Sequence, residues 1–345
     1  MNSDDHLHPS PTARPTDAPP APAQESAPVP PPAPRRRGPR PVPEGVPYHR
    51  VLAGEKRGVW RGILAIVLLV VGMLLFSTVL SFLAVAVDML TGRTDPTSGE
   101  FELTPLLNAS GLLAMALLTP WSMLVQRWLY GVRGASLHSV LAHFRSGPFT
   151  RSLLVIGPIW VVYMTAFSFV TPYEEGVWST TDLFLSFGII MLLVPLQAAG
   201  EEYGFRGLIF RVAGSWSRGP RAALAIGVTV SSLVFMAAHF AADPWLNLYY
   251  FTFGATLALI TWRTGGLEVA IVIHAVNNTL AFLISVLTHS DLAAGFDRSV
   301  GTGSAIMLVP CVLLVAVTAV VWWRTRRTGP ALTPAGPRPG QVPAA

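Results

Sequence analysis

The sequence predicts an all-α fold, a polytopic membrane helix bundle of about eight transmembrane helices with both termini cytoplasmic. Three observations predict it. Of the 345 residues, 51% are hydrophobic and 12% are charged, and mean hydropathy is +0.50, unlike a soluble domain. A window of about 20 residues, enough to cross the hydrocarbon core as a helix, finds eight apolar runs. Arginine gathers in every second connection between them, the pattern expected when alternate loops face the cytoplasm.

Residues 1–57 are dominated by Pro, Ala, Ser and Arg. With almost nothing to bury, they are expected to form a disordered cytoplasmic tail whose Arg35, Arg36 and Arg37 set orientation. The run 63–87 is too long and too far into the chain for a signal peptide, although Ala84, Val85 and Ala86 mimic a cleavage site, so it reads as a retained span. The runs 103–125, 153–170, 183–199, 222–240, 246–262, 267–287 and 305–323 follow. Pro105 and Pro120 fall in the second run and Pro195 in the fourth, where a missing backbone donor is expected to kink the helix. Residues 127–145 carry Trp128, Leu129, Val132, Leu137, Val140 and Leu141 among polar neighbours, which reads as an amphipathic stretch on the inner membrane surface. A second disordered tail is expected over 328–345, leaving 58–327 as the transmembrane domain.

The connections support the count of spans. Asp88, Asp95, Glu100 and Glu102 follow the first run, Glu174, Glu175 and Asp182 the third, Asp243 the fifth, and Asp291 and Asp297 the seventh. Between them come Arg127, Arg133, Arg145 and Arg151, then Arg211, Arg218 and Arg221, then Arg263, and finally Arg324, Arg326 and Arg327. The pI near 9.8 is therefore topological: the basic residues form no stripe, and nucleic acid is not an expected partner. The single cysteine, Cys311, excludes a disulfide framework or a cysteine zinc site. One lysine, Lys56, among many arginines fits a GC-rich bacterial genome.

Ionisable side chains within membrane spans cost about 2.5–3.5 kcal/mol each on insertion scales and mark function when they occur. Here they concentrate on three helices. The fourth ends in Glu201, Glu202 and Arg206, the fifth carries Phe235 and His239, and the seventh carries His274, Asn277 and Asn278. Glu202 and Arg206 share a helix face and can pair, while Glu201 is rotated about 100° away. His274 and Asn278 project together, and Phe235 stands one turn before His239, placed to wall the site.

A carboxylate with a histidine can hold and deprotonate a water, and a second histidine with an asparagine can donate to the oxyanion of a tetrahedral intermediate. That combination hydrolyses an amide. The same groups can instead form a metal site, with Glu201, His239 and His274 holding a divalent ion such as zinc beside an open water position. The sequence leaves both routes open, but His-Glu-x-x-His is absent.

Each residue also has a plainer reading. Paired glutamates near a helix end are commonly interfacial charge, a lone buried His239 is more often structural, and Asn278 can bond a neighbouring helix. Asn277 reads as packing, and His138, His143 and His289 as surface or helix-end residues without acidic partners. What favours function is the combination on three helices.

Those motifs, Glu201-Glu202-x-x-x-Arg206, Phe235-x-x-x-His239 and His274-x-x-x-Asn278 in that order, resemble the CAAX prenyl protease 2 family, also called the CPBP or Abi family of intramembrane proteases. The resemblance covers about residues 183–284. It implies a multi-pass endopeptidase in the cell membrane that acts on a membrane-associated peptide or protein. Glu201 and His239 would activate water, His274 and Asn278 would stabilise the oxyanion, and Glu202 and Arg206 would hold the fourth helix. Family members are often labelled metalloproteases, while a metal-free glutamate mechanism is proposed for relatives. Eukaryotic members cleave prenylated C-terminal tripeptides and bacterial relatives are linked to bacteriocin immunity, so the resemblance leaves the substrate open. A catalytically silent immunity or scaffold protein is the first alternative. A proton-coupled transporter is the second, and the lack of an internal repeat counts against it.

Overall fold

In a computed structural model, which describes residues 38–54, 56, 58–94, 103–171 and 174–335, each apolar run becomes a helix. These are α1 (Val59–Leu90), α2 (Pro105–Tyr130), α3 (Ser146–Ser168), α4 (Thr180–Gly214), α5 (Pro220–Ala237), α6 (Pro244–Thr264), α7 (Glu268–Leu287) and α8 (Ala305–Thr325). Among the described residues there is no strand beyond isolated bridges, and seven helices are long and apolar enough to cross a membrane. The helix outside that group is α6. Trp245, Asn247, Tyr249, Tyr250 and Arg263 dilute its hydropathy, and it packs against α5 and α8 with Phe253, Leu257 and Ile260 buried. A helix enclosed by protein need not match lipid around its whole circumference. By contrast, α1 exposes Phe82, Leu83 and Leu90, as a lipid-facing helix does.

The prolines act unequally. Pro105 is the first residue of α2, where no backbone donor is needed, and Thr104 caps that end by accepting from the Leu107 amide at 3.0 Å. Pro120 lacks the N–H that would bond Ala116, and α2 is interrupted at Leu117 between Pro105–Ala116 and Leu118–Tyr130. Pro195 lies within the continuous helix Thr180–Glu201.

Two layers of contacts tie the connections together at opposite ends of the bundle. At the arginine-rich end, Arg145 pairs with Glu268 at 2.6 Å, Arg263 bonds Thr325, and the Val140 amide bonds the Gly265 carbonyl. At the acidic end, Arg93 pairs with Asp182, the Asp291 amide bonds Glu174, and the Ala242 amide bonds Arg298.

The stretch 127–145 differs from the amphipathic surface segment expected of it. Val132, Leu137 and Val140 are buried against the protein rather than turned to lipid, in a cap that includes the short turn Gly134–Leu137. The segments read as tails lie partly outside the described residues, but their parts nearest the bundle pack onto this same end. Tyr48 and His49 are buried, the Tyr48 hydroxyl donates to the Leu137 carbonyl, and Thr333 bonds both Val46 and Pro43. Tyr48 also lies under the Arg211 guanidinium, 3.8 Å from its ring centroid, which explains why a proline-rich stretch docks here.

Candidate active site

The site begins where α4 changes pitch. After Glu201 the chain winds as a π-helix over Glu202–Ile209, and every residue of that segment is buried. Such bulges occur frequently at functional sites. Immediately before it, Gly200 meets the interrupted part of α2: a Cβ there would fall 1.9 Å from the Met115 carbonyl oxygen. Only glycine permits this approach, which seats Glu201 in the interior instead of at a lipid boundary.

The adjacent glutamates face different partners. Glu202 is fully buried, 3.0 Å from the Arg206 guanidinium and 2.7 Å from Nδ1 of His274. Arg206, also fully buried, stands 4.0 Å from the ring centroid of Phe235 and 5.7 Å from that of Phe253. A desolvated guanidinium is stabilised by those faces as well as by the carboxylate. Glu201 turns the other way, accepting from Gln197 Nε2 at 2.5 Å and lying 3.7 Å from Nε2 of His274.

His239 sits two residues past the end of α5, where Phe240 adopts a left-handed φ of 51° and turns the chain towards α6. Its Nδ1 bonds the Phe235 carbonyl at 2.8 Å, and a carbonyl only accepts, so Nδ1 carries the hydrogen and Nε2 is left with a free lone pair. The imidazole is fixed by stacking on Tyr250, with centroids 3.8 Å apart, and by an edge contact with Phe235 at 4.6 Å. Phe235 thus holds the imidazole from one edge without itself lining the cavity described below. Asn278 donates to Gln197 Oε1 at 3.2 Å and accepts from Asn277.

Glu201, His239 and Asn278 line one cavity of about 1190 Å³. His274 does not. It is buried behind Glu201, clasped between the two glutamates, and so stands apart from the space that the other three share. Among the described residues no group of three or more His, Cys, Asp or Glu side chains is arranged to hold a metal ion. The set Glu201, His239 and His274 therefore does not form a ligand set in this geometry.

Two contributors escaped the sequence reading. Gln197 bridges Glu201 and Asn278, and its position one turn before Glu201 was the available signal. Tyr250 braces His239 from a helix that carries none of the motifs, so nothing in the spacing announced it. Asn277 is more than packing: it bonds Trp160, Tyr249 and Asn278. His138 bonds the Tyr203 hydroxyl and is half-buried, with burial lowering its pKa, whereas His143 is exposed.

Comparison with known proteins covers the segment that carries these residues. The family model described as type II CAAX prenyl endopeptidase Rce1-like matches residues 182–280, the segment that contains all seven motif side chains. A Bacillus subtilis protein described as the uncharacterized protein YyaK is 32% identical over 111 residues, covering 30% of this chain and 35% of that protein. The chain thus spans about a third of the length of that curated relative. No solved structure matches. Residues 182–280 are thus similar to the CAAX-protease-like family, within a multi-pass membrane protein.

Proposed function

We propose that this protein is an intramembrane endopeptidase that hydrolyses a peptide bond of a membrane-associated substrate. The observation that carries the reading is that Glu201, His239 and Asn278 line one cavity although they come from three separate stretches of the chain. Glu201 and the free Nε2 of His239 hold and deprotonate a water, which attacks the scissile carbonyl. Asn278 Nδ2 leaves Gln197 to donate to the developing oxyanion. The proton taken by Glu201 is returned to the leaving amine as the tetrahedral intermediate collapses. His274 acts through Glu201, with Nε2 facing that carboxylate and Nδ1 held by Glu202, so it positions the base. This departs from the direct oxyanion contact that the resemblance implies for His274.

The test is cleavage of a panel of membrane-inserted peptides by the purified protein in lipid nanodiscs. Glu201→Gln and His239→Ala are each expected to remove activity without loss of fold. Retained turnover in either variant overturns the assignment. A silent scaffold gives the opposite pattern in cells, with the phenotype surviving Glu201→Ala and lost in Arg206→Ala.

A further inference from the structure

The cavity is not symmetric about the membrane. Its lining outside the helix interiors comes from Leu103, from His239 and from the connection 292–298, all at the acidic end. None of it comes from 131–145, 215–219, 265–267 or 326–335, where the arginine-rich connections pack on one another and close that end. The mouth is a built feature. Asp243 caps α6 by accepting from the Trp245 and Leu246 amides and reaches across to the Gly301 amide at 2.9 Å. The Ala242 amide bonds the Arg298 carbonyl at 2.8 Å, three residues after His239.

Sequence gives these two ends opposite signs. The connections at the acidic end carry only Arg93 and Arg298 as basic residues, against the arginines of every connection at the other end. Basic connections stay in the cytoplasm. Of the two exceptions, Arg93 is paired with Asp182, and Arg298 lines the cavity mouth. The wall itself is mostly apolar, interspersed with Ser77, Ser81, Asn108 and Asn277, groups that can satisfy peptide amides in a dry site.

We infer that the cavity takes its substrate from the extracytoplasmic face of the membrane, and that its occupant is a peptide segment of an exported, membrane-anchored polypeptide. This rests on the peptidase reading for what happens to the occupant, whereas the direction of access can be measured without turnover.

The experiment uses single-cysteine variants of the full chain in a Cys311→Ala background, treated in intact cells with a small membrane-impermeant methanethiosulfonate. Ala294→Cys is exposed at the mouth, Ala281→Cys is half-buried on the cavity wall, and Thr328→Cys follows the last helix at the arginine-rich end. Ala294→Cys and Ala281→Cys are expected to react in intact cells, and Thr328→Cys only after permeabilisation. Ser285→Cys lines the same cavity and replaces Ala281→Cys if that variant fails to accumulate. Reaction of the wall cysteine only from the cytoplasmic side, or from neither side, overturns the inference. In the Glu201→Gln background, an externally added palmitoylated apolar hexapeptide is expected to slow the reaction of the wall cysteine several-fold, and palmitate alone is not. Equal protection by palmitate overturns the peptide assignment. Failure of the peptidase reading appears separately, as absent cleavage by the wild-type protein with the labelling pattern unchanged.

Discussion

Nδ1 of His274 lies 2.7 Å from Oε1 of Glu202, so the carboxylate that pairs with Arg206 also grips the imidazole of α7. An ionised carboxylate only accepts, which places the hydrogen of that bond on Nδ1 and aims Nε2 at Glu201. Glu202 thereby ties α4 to α7 and sets the orientation of the group behind the proposed base. Glu202→Gln keeps an acceptor for Nδ1 but leaves the buried Arg206 guanidinium without its counter-charge, so it is expected to lower the thermal midpoint and also to lower kcat by about tenfold while KM holds, as for a lost orienting contact. Thermal unfolding together with steady-state kinetics on a cleaved peptide checks it. Arg206→Ala is expected to be worse, because it leaves the Glu202 carboxylate without a counter-ion, at a cost of about 3–5 kcal/mol, and also empties the space against Phe235 and Phe253. Loss of the monodisperse species in detergent is the readout.

Gln197 holds Glu201 and Asn278 at once, donating to the first and accepting from the second. Gln197→Leu keeps the size but removes both bonds. Its expected effect is a fall in kcat of roughly ten- to a hundredfold, smaller than the 10²–10³ expected for Asn278→Ala, because Asn278 itself faces the oxyanion. A larger loss at Gln197 than at Asn278 would reverse the assigned order of importance.

Gly200 is demanded by contact rather than by dihedral freedom. A methyl at that position would overlap the Met115 carbonyl, so α4 and α2 must separate in Gly200→Ala. Overpacking of this kind costs about 1–3 kcal/mol. The expected result is a lower thermal midpoint together with reduced activity, since the shift moves Glu201. A Gly188→Ala control, on the same helix and with nothing within 4 Å, is expected to leave activity unchanged and not to lower the midpoint.

His49 gives a pH prediction at the arginine-rich end. Its ring stacks on Phe210, its nitrogens have no protein partner, and burial, aided by Arg50, lowers its pKa from 6.5 to about 4. A folded-state pKa below the unfolded value means the unfolded chain binds the proton first. The stabilisation is whole above pH 6.5 and is lost as pH falls from there towards 4. At pH 5 the loss amounts to about 2 kcal/mol. Thermal unfolding in detergent at pH 7.5 and pH 5 measures it, and His49→Phe is expected to flatten the difference. An unchanged slope in that variant assigns the pH dependence elsewhere.

Composition and spacing along the chain already fix the membrane class, the eight helical runs and which of them carry ionisable and amide side chains. Apolar length and arginine placement are properties of the chain's transfer into lipid and need no tertiary detail. The amino-acid sequence also dictates the pairing of Glu202 with Arg206 and the closeness of Phe235 to His239, because both follow from spacing along one element. Spacing fixes the face of a helix and leaves open the depth at which two helices cross. Only packing between helices therefore places His274 behind Glu201 instead of beside His239, sets Tyr250 against the His239 imidazole, and gives the cavity its lining at the acidic end. The determining causes are local breaks in helical regularity: the interruption at Leu117, the π-helical turn after Glu201 and the left-handed Phe240. Each is a local departure from a regular α-helix that no hydrophobic periodicity announces, and Glu201 stands immediately before the second of them.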